Sequence, residues 1–243
     1  VSRTGEPWGA FMFNNGGGSG AANHADGWPL IGTTSASGGL KSLSIEQIEL
    51  IYPMVVEHWE LEPESMGYGQ SNGGPGNRFV VKPTYGPLNT VEFGDGRANP
   101  PHGVLAGTAG FGGGAYVENR STGARRFVSA TGEVRVDLDE VWVGVSSGGG
   151  GYGDPLERDP TTVAENVRDG IISHDIAENI FGVVLDTGIE PNVKEDETDV
   201  LRARMRAERG TLPIVTPTKP AAATWLSEQM TENDEYLLNP QIG

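Results

Sequence analysis

Hydrophobic and polar positions alternate over short distances through the middle of this chain. Met54 to Leu61 places Val55, Trp59 and Leu61 on one face, with Glu57 interrupting and His58 opposite, the pattern of a half-buried strand. Similar runs recur at Arg78–Lys82, Thr90–Phe93, Ala115–Asn119, Arg125–Ser129, Glu133–Leu138 and Val141–Val145. Glycine-rich turns separate them, and Asn119 to Ala124 reads as a hairpin connection. Short strands so spaced predict a mainly β (α+β) fold: a β-sandwich or barrel-like body, followed by short C-terminal helices and an extended tail.

A helical period appears on either side of that body. Ser44 and Gln47 have capping-box spacing, Leu43 and Ile48 that of a hydrophobic staple, and Pro53 stops the helix. Asp159-Pro160 starts a second helix that closes at Gly170. Ser173 caps a third, whose Ile176, Ala177, Ile180 and Phe181 form one apolar face ending at Gly182. Thr198 to Arg209 reads as a fourth, its arginines at 202, 204, 206 and 209 forming a solvated face suited to the negative helix end. Pro213, Pro217 and Pro220 then imply an extended segment, and Trp225, Leu226, Met230, Tyr236, Leu237 and Leu238 are apolar anchors in an acidic tail. The chain divides into a glycine-rich irregular segment (1–43), a β-rich body with a helical C-terminal motif (44–190), and a helix with a partner-binding tail (191–243).

Composition narrows the function classes. Glycine (37) and proline (16) make about a fifth of the 243 residues, which demands many turns and favours strands over helices. The net charge of −16 repels a nucleic-acid backbone, so no nucleic acid is expected as partner. No apolar run reaches the roughly 20 residues of a spanning helix, so no membrane is expected either, and a soluble, cytoplasmic protein is the expectation. Without cysteine there is no disulfide, thiolate metal site or cysteine nucleophile.

The chain is organised around Ser146 to Asp159, where four successive glycines, Gly148, Gly149, Gly150 and Gly151, precede Tyr152 and link a strand to the helix at Pro160. Glycines at a strand-to-helix junction serve either an anion nest or close backbone approach; the Gly-Lys-Ser/Thr ending of a phosphate loop is absent. His24 and Asp26, at i and i+2, could offer two ligands from one face, and Asp26-Gly27 is equally a turn signal. Two ligands are fewer than a protein-held transition metal takes, so no metal site is assigned to this chain. His102 lies in the glycine-rich stretch Pro100 to Gly114, either a long ordered loop or the lining of a site shared with another domain. His24, Asp26 and His102 are the candidate catalytic residues, and Gly148 to Gly151, Tyr152 and Arg78 the candidate substrate or interface positions. No triad, nucleophile elbow, zinc-protease helix or nucleotide fingerprint is complete.

The run GGGGYGDPLERDP, followed by VAENVRDGIIS and FGVVLD, resembles the C-terminal signature of the hydantoinase B/oxoprolinase family. YPMVVEHWEL with ESMGYGQSNGGPG resembles the family stretch in which a strand leads to Asp-Ser-Gly-Gly and Arg-Gly-Gly turns, and PPHGVLAGTAG its Pro-x-Gly-x-x-Gly-Gly loop. The likeness covers residues 15 to 209. It departs at Asn72, where the family carries an arginine able to clamp an anion, a role for which Arg78 is the substitute to be tested. The resemblance implies the C-terminal half of a B component. Its N-terminal half would carry Asn-Asp-Pro and Gly-x-x-His-x-x-Asp metal motifs, neither found here, and a hydantoinase A-type subunit would bind ATP. The expectation is a hetero-oligomer in which ATP with Mg and a divalent metal sit in partner chains and none is bound by this chain alone. The implied reaction is opening of a cyclic amide driven by phosphorylation of a carbonyl oxygen; the alternatives are an acetone or acetophenone carboxylase subunit and a non-catalytic scaffold module.

Overall fold

Seven strands form where the alternation runs, in a computed structural model that describes residues 4–9, 14–31, 42–93, 96, 99–128 and 131–210. They are β1 (Met54–Leu61), β2 (Asn77–Pro83), β3 (Leu88–Phe93), β4 (Gly114–Asn119), β5 (Arg125–Val128), β6 (Thr131–Val136) and β7 (Glu140–Val145). Five build an antiparallel sheet in the order β1-β2-β7-β4-β5, while β3 and β6 pair as a separate two-stranded sheet. Among the described residues the fold is mostly sheet with four short helices, and neither sheet closes into a barrel. Central strand β7 is buried at every position, which explains the near-continuous apolar run Val-Trp-Val-Gly-Val.

The main core lies on one face of the large sheet. Met54, Val56, Phe79, Val81, Val117 and Trp142 meet Leu88 and Val136 of the small sheet and Ile48 of α1 (Ile45–Ile51). Each fully buried side chain of this size contributes about 1.5–3 kcal/mol of transfer free energy. The first half of β1 turns inward the face opposite to the one its alternation predicts. Met54 and Val56 point inward and Val55 is exposed, whereas Trp59 packs on the core beyond a register shift between Val56 and His58. Glu57, the residue that interrupted the pattern, sits at this bulge, which exchanges inward and outward positions along the strand.

Helices α2 (Pro160–Arg168) and α3 (His174–Asn179) start at the expected caps, Asp159 and Ser173, and bury Val163, Ile176, Ala177 and Phe181 against Met66 and Tyr68. Helix α4 (Glu195–Arg209) begins three residues before Thr198, because its first turn is stabilised by Glu195, Asp196 and Glu197 at the positive end of the helix dipole rather than by a side-chain cap. Its arginines do not form one solvated face. Arg202 donates to the carbonyls of Phe181 (2.9 Å) and Arg158 (2.7 Å), Arg206 to that of Leu156 (3.0 Å), and Arg209 to both oxygens of Asp154. Arg204, exposed, instead lies 3.8 Å from Glu208. The expected tail and its anchors, at 211–243, lie outside the described residues.

Candidate functional site

Glycine is the only residue that leaves a backbone bare enough for four chain segments to run side by side. Residues 146–153 are surrounded by 16–31, 65–77 and 101–113, and from Ser146 to Tyr152 the partners change in rotation. The carbonyls of Ser147 and Gly150 accept from Gly18 and Ala21 of the N-terminal segment, both at 2.9 Å. Gly148 and Gly151 donate to Phe111 and Thr108 of the 101–113 segment. Gly149 and Tyr152 bond with Gly67, Ser71 and Gly74 of the 65–77 segment. A partner direction repeating every third residue is that of an extended polyproline-type helix, which has three residues per turn and no internal hydrogen bonds.

That rotation explains four glycines in a row. A Cβ on Gly148 would collide with the backbone of Ser65, on Gly149 with that of Ser19, on Gly150 with that of His102, and on Gly151 with that of Tyr68. Among the glycines of this run only Gly153, past Tyr152, has a left-handed φ (76°), so close approach and not positive φ is what Gly148 to Gly151 supply. Residues 17–27 are therefore part of this web.

One charged clamp closes the web against the helices. The Arg158 guanidinium, 3% exposed, donates Nη1 to Asp26 Oδ1 (2.8 Å) and Nη2 to Asp26 Oδ2 (2.6 Å). It also reaches the Gln70 carbonyl (3.1 Å) and Asn166 Oδ1 (3.1 Å). Asp26 Oδ1 additionally accepts from the Asn72 amide at 2.8 Å, and Asn72 Oδ1 accepts from Gly69 N–H at 3.1 Å. The guanidinium beside this turn is thus supplied by Arg158, not Arg78. Such bidentate charge-assisted pairs are the strong kind, and here a buried guanidinium meets a carboxylate that is 47% exposed, so solvent screens the pair from one side.

The candidate residues fall into two places. His24, Asp26, His102, Gly148 to Gly151 and Tyr152 gather around the web: His24 is exposed at the turn of the Ala22–Ala25 bridge, His102 is exposed but offers its carbonyl side to Gly150, and Tyr152 bridges Ser71 and Val104. Arg78 stands apart, in a groove of about 290 Å³ on the outer face of the large sheet with His58, Glu60, Tyr116, Glu118, Arg120 and Arg125 over a floor of Val80 and Val143. Its arginines are matched by carboxylates: Arg78 with Glu62 (3.1 Å), Arg125 with Glu118 (2.9 Å), Arg120 with Glu118 (2.9 Å) and Glu57. Arg125 also lies 5.0 Å over the Tyr116 ring. The groove is charge-compensated, not a bare anion receptor.

Burial works against ionised Asp154, yet hydrogen bonds from Arg209 and the Leu156 amide hold its carboxyl below the usual carboxylate range. Burial, and then Glu64, push the Tyr68 phenol far up. For the Arg202 guanidinium, burial followed by Arg206 acts downward. Among the described residues no three histidine, aspartate or glutamate side chains come together as metal ligands. The amides of Gly148, Gly149 and Gly151, which a phosphate would need, already donate to internal carbonyls. Three of the four glycine amides of the run are thus committed to internal packing. Sequence reasoning missed the Arg158–Asp26 clamp, although Arg158 lies within the signature run; nothing local links two residues 132 positions apart.

Residues 1–155 match the family model described as hydantoinase B/oxoprolinase, and the chain belongs to that family. Among particular relatives, it is 35% identical over 176 residues to caprolactamase subunit beta of Pseudomonas jessenii, covering 70% of this chain and 30% of that one. The crystal structure of ATP-dependent caprolactamase from Pseudomonas jessenii superposes with a TM-score of 0.64 at 33% identity, over 77% of this chain and 32% of that one. The nucleotide-free structure of acetone carboxylase, from work on ATP-dependent acetone carboxylation, shares the fold with a TM-score of 0.67 at 21% identity, over 90% of this chain and 32% of that one. The chain spans about a third of the length of these relatives.

Proposed function

We propose that this chain is the C-terminal part of the B component of an ATP-dependent enzyme that opens cyclic amides, and that it works only within a hetero-oligomer. The observation that carries this is the 35% identity to caprolactamase subunit beta across 70% of the chain. The web supports the same reading: it spends its glycines and polar backbone on internal packing, so its contribution is a rigid wall rather than a complete set of reacting groups. ATP with Mg and the divalent metal belong to partner chains, a hydantoinase A-type subunit and a metal-bearing N-terminal B-type chain, and residues 211–243 supply the partner-binding anchors. The runner-up is a ketone carboxylase subunit, favoured by the fold shared with acetone carboxylase over 90% of the chain.

The test is to purify the chain alone and together with A-type and N-terminal B-type chains, then assay ATP-dependent opening of ε-caprolactam, 5-oxoproline and hydantoin beside carboxylation of acetone. Ring opening by the assembly and none by the single chain is expected. Carboxylation without ring opening would favour the runner-up, and turnover by the solitary chain would overturn the subunit reading.

A further inference from the structure

The structure holds two consecutive non-glycine residues, Leu105 (φ 49°) and Ala106 (φ 74°), in the left-handed region. They form the centre of a two-residue turn closed by Gly107 N–H donating to the Val104 carbonyl at 2.9 Å. Positive φ at both central positions suits asparagine-glycine; leucine and alanine adopt it only when their surroundings impose it. The web imposes it. Val104 N–H donates to the Gly151 carbonyl (3.0 Å), the Val104 carbonyl accepts a second hydrogen bond from Gly153 N–H (3.0 Å), and a Cβ on Gly103 would collide with the Gly107 carbonyl. The result is a rigid tip carrying Leu105, 70% exposed, and Val104, 52% exposed. The carbonyl one residue earlier, that of Gly150, anchors Ala21 and with it the Ala22–Ala25 turn, where His24 also has positive φ (59°). Two constrained turns thus project from adjoining positions of the glycine run.

A strained backbone that holds apolar side chains out in water has no internal use, and strain of this kind persists where it presets a contact. A nucleotide or other anion is poorly served at this tip, since the amides of Val104 and Gly107 are already bonded and the exposed side chains are aliphatic. Polypeptide is the fitting occupant: the match covers 30% of caprolactamase subunit beta, and the rest of that relative is polypeptide outside the match. We propose that the Val104–Ala106 turn is a preset docking knob that inserts into an apolar pocket of the polypeptide corresponding to that uncovered part, the N-terminal B-type chain. The proposal rests on the subunit reading above.

The experiment compares wild type, Leu105→Asn, and the pair Leu105→Asn with Ala106→Gly, measuring melting of each chain alone and its affinity for a purified N-terminal B-type chain. Asparagine-glycine relieves the turn while removing its aliphatic tip. The double variant is expected to melt about 1–4 °C higher than wild type and to bind at least about tenfold more weakly, with Leu105→Asn showing the same loss of affinity. Unchanged affinity of a folded double variant overturns the knob alone, and so does a lowered melting temperature, which would mean that no constraint was relieved. A wild-type chain that does not bind overturns the subunit reading and the knob with it.

Discussion

Gly149 and Gly20 belong to the same web and differ in what surrounds them. A side chain on Gly149 would meet the backbone of Ser19, which cannot step aside without breaking the bonds of its own segment, whereas one on Gly20 would have only the Gly150 carbonyl at 3.9 Å. Gly149→Ala is therefore expected to cost about 3 kcal/mol or more and Gly20→Ala less than about 0.5 kcal/mol. Thermal denaturation of the two variants separates these outcomes; a tolerated Gly149→Ala would contradict the close packing. Asp154 carries a pH dependence. Its folded carboxyl titrates below the unfolded value of ~3.9, so its contribution is fully present above that pH and is lost as pH falls through the folded value. Urea melts from pH 5 down to pH 2 should show wild type losing stability over that window more steeply than Asp154→Asn, and parallel curves would remove the carboxylate from the account.

Elements were legible in proportion to how local their causes are. The hairpin joining β4 and β5 could be read from Asn119 to Ala124 because its bonds are local: Asn119 Oδ1 accepts from the amides of Ser121 and Thr122, both at 3.0 Å. The caps at Ser44, Asp159 and Ser173 were likewise visible. The phase of β1 was not, since a bulge is specified by the partner strand and leaves in the sequence only a misplaced Glu57. The arginines of α4 misled for another reason: a guanidinium bonded to carbonyls from other elements has the same sequence signature as a solvated one. Arg202→Leu is expected to leave the carbonyls of Phe181 and Arg158 without this donor and to cost about 2–4 kcal/mol. Arg204→Ala, on the exposed side, should change stability by less than about 0.5 kcal/mol. Equal melting temperatures for both variants would mean that α4 is not held by its arginines.

At the scale of the molecule, the web joins stretches that stand far apart in the chain, with Ser146 Oγ donating to the Gly16 carbonyl across 130 positions at 2.8 Å. This is why the juxtaposition of these stretches could not be read from the chain: glycine carries no side chain whose periodicity could announce its neighbours. His24, Asp26, His102 and the glycine run were each noticed, and their convergence became visible only with the fold. The rotation of partners around that run has a further consequence. Each added residue turns the segment by a third of a revolution, so a single inserted glycine between Gly148 and Gly151 would aim every later carbonyl at the wrong neighbour even though the composition of the loop hardly changes. The stretch has, in effect, a reading frame of three, and its length is constrained by phase more tightly than its chemistry is by side chains.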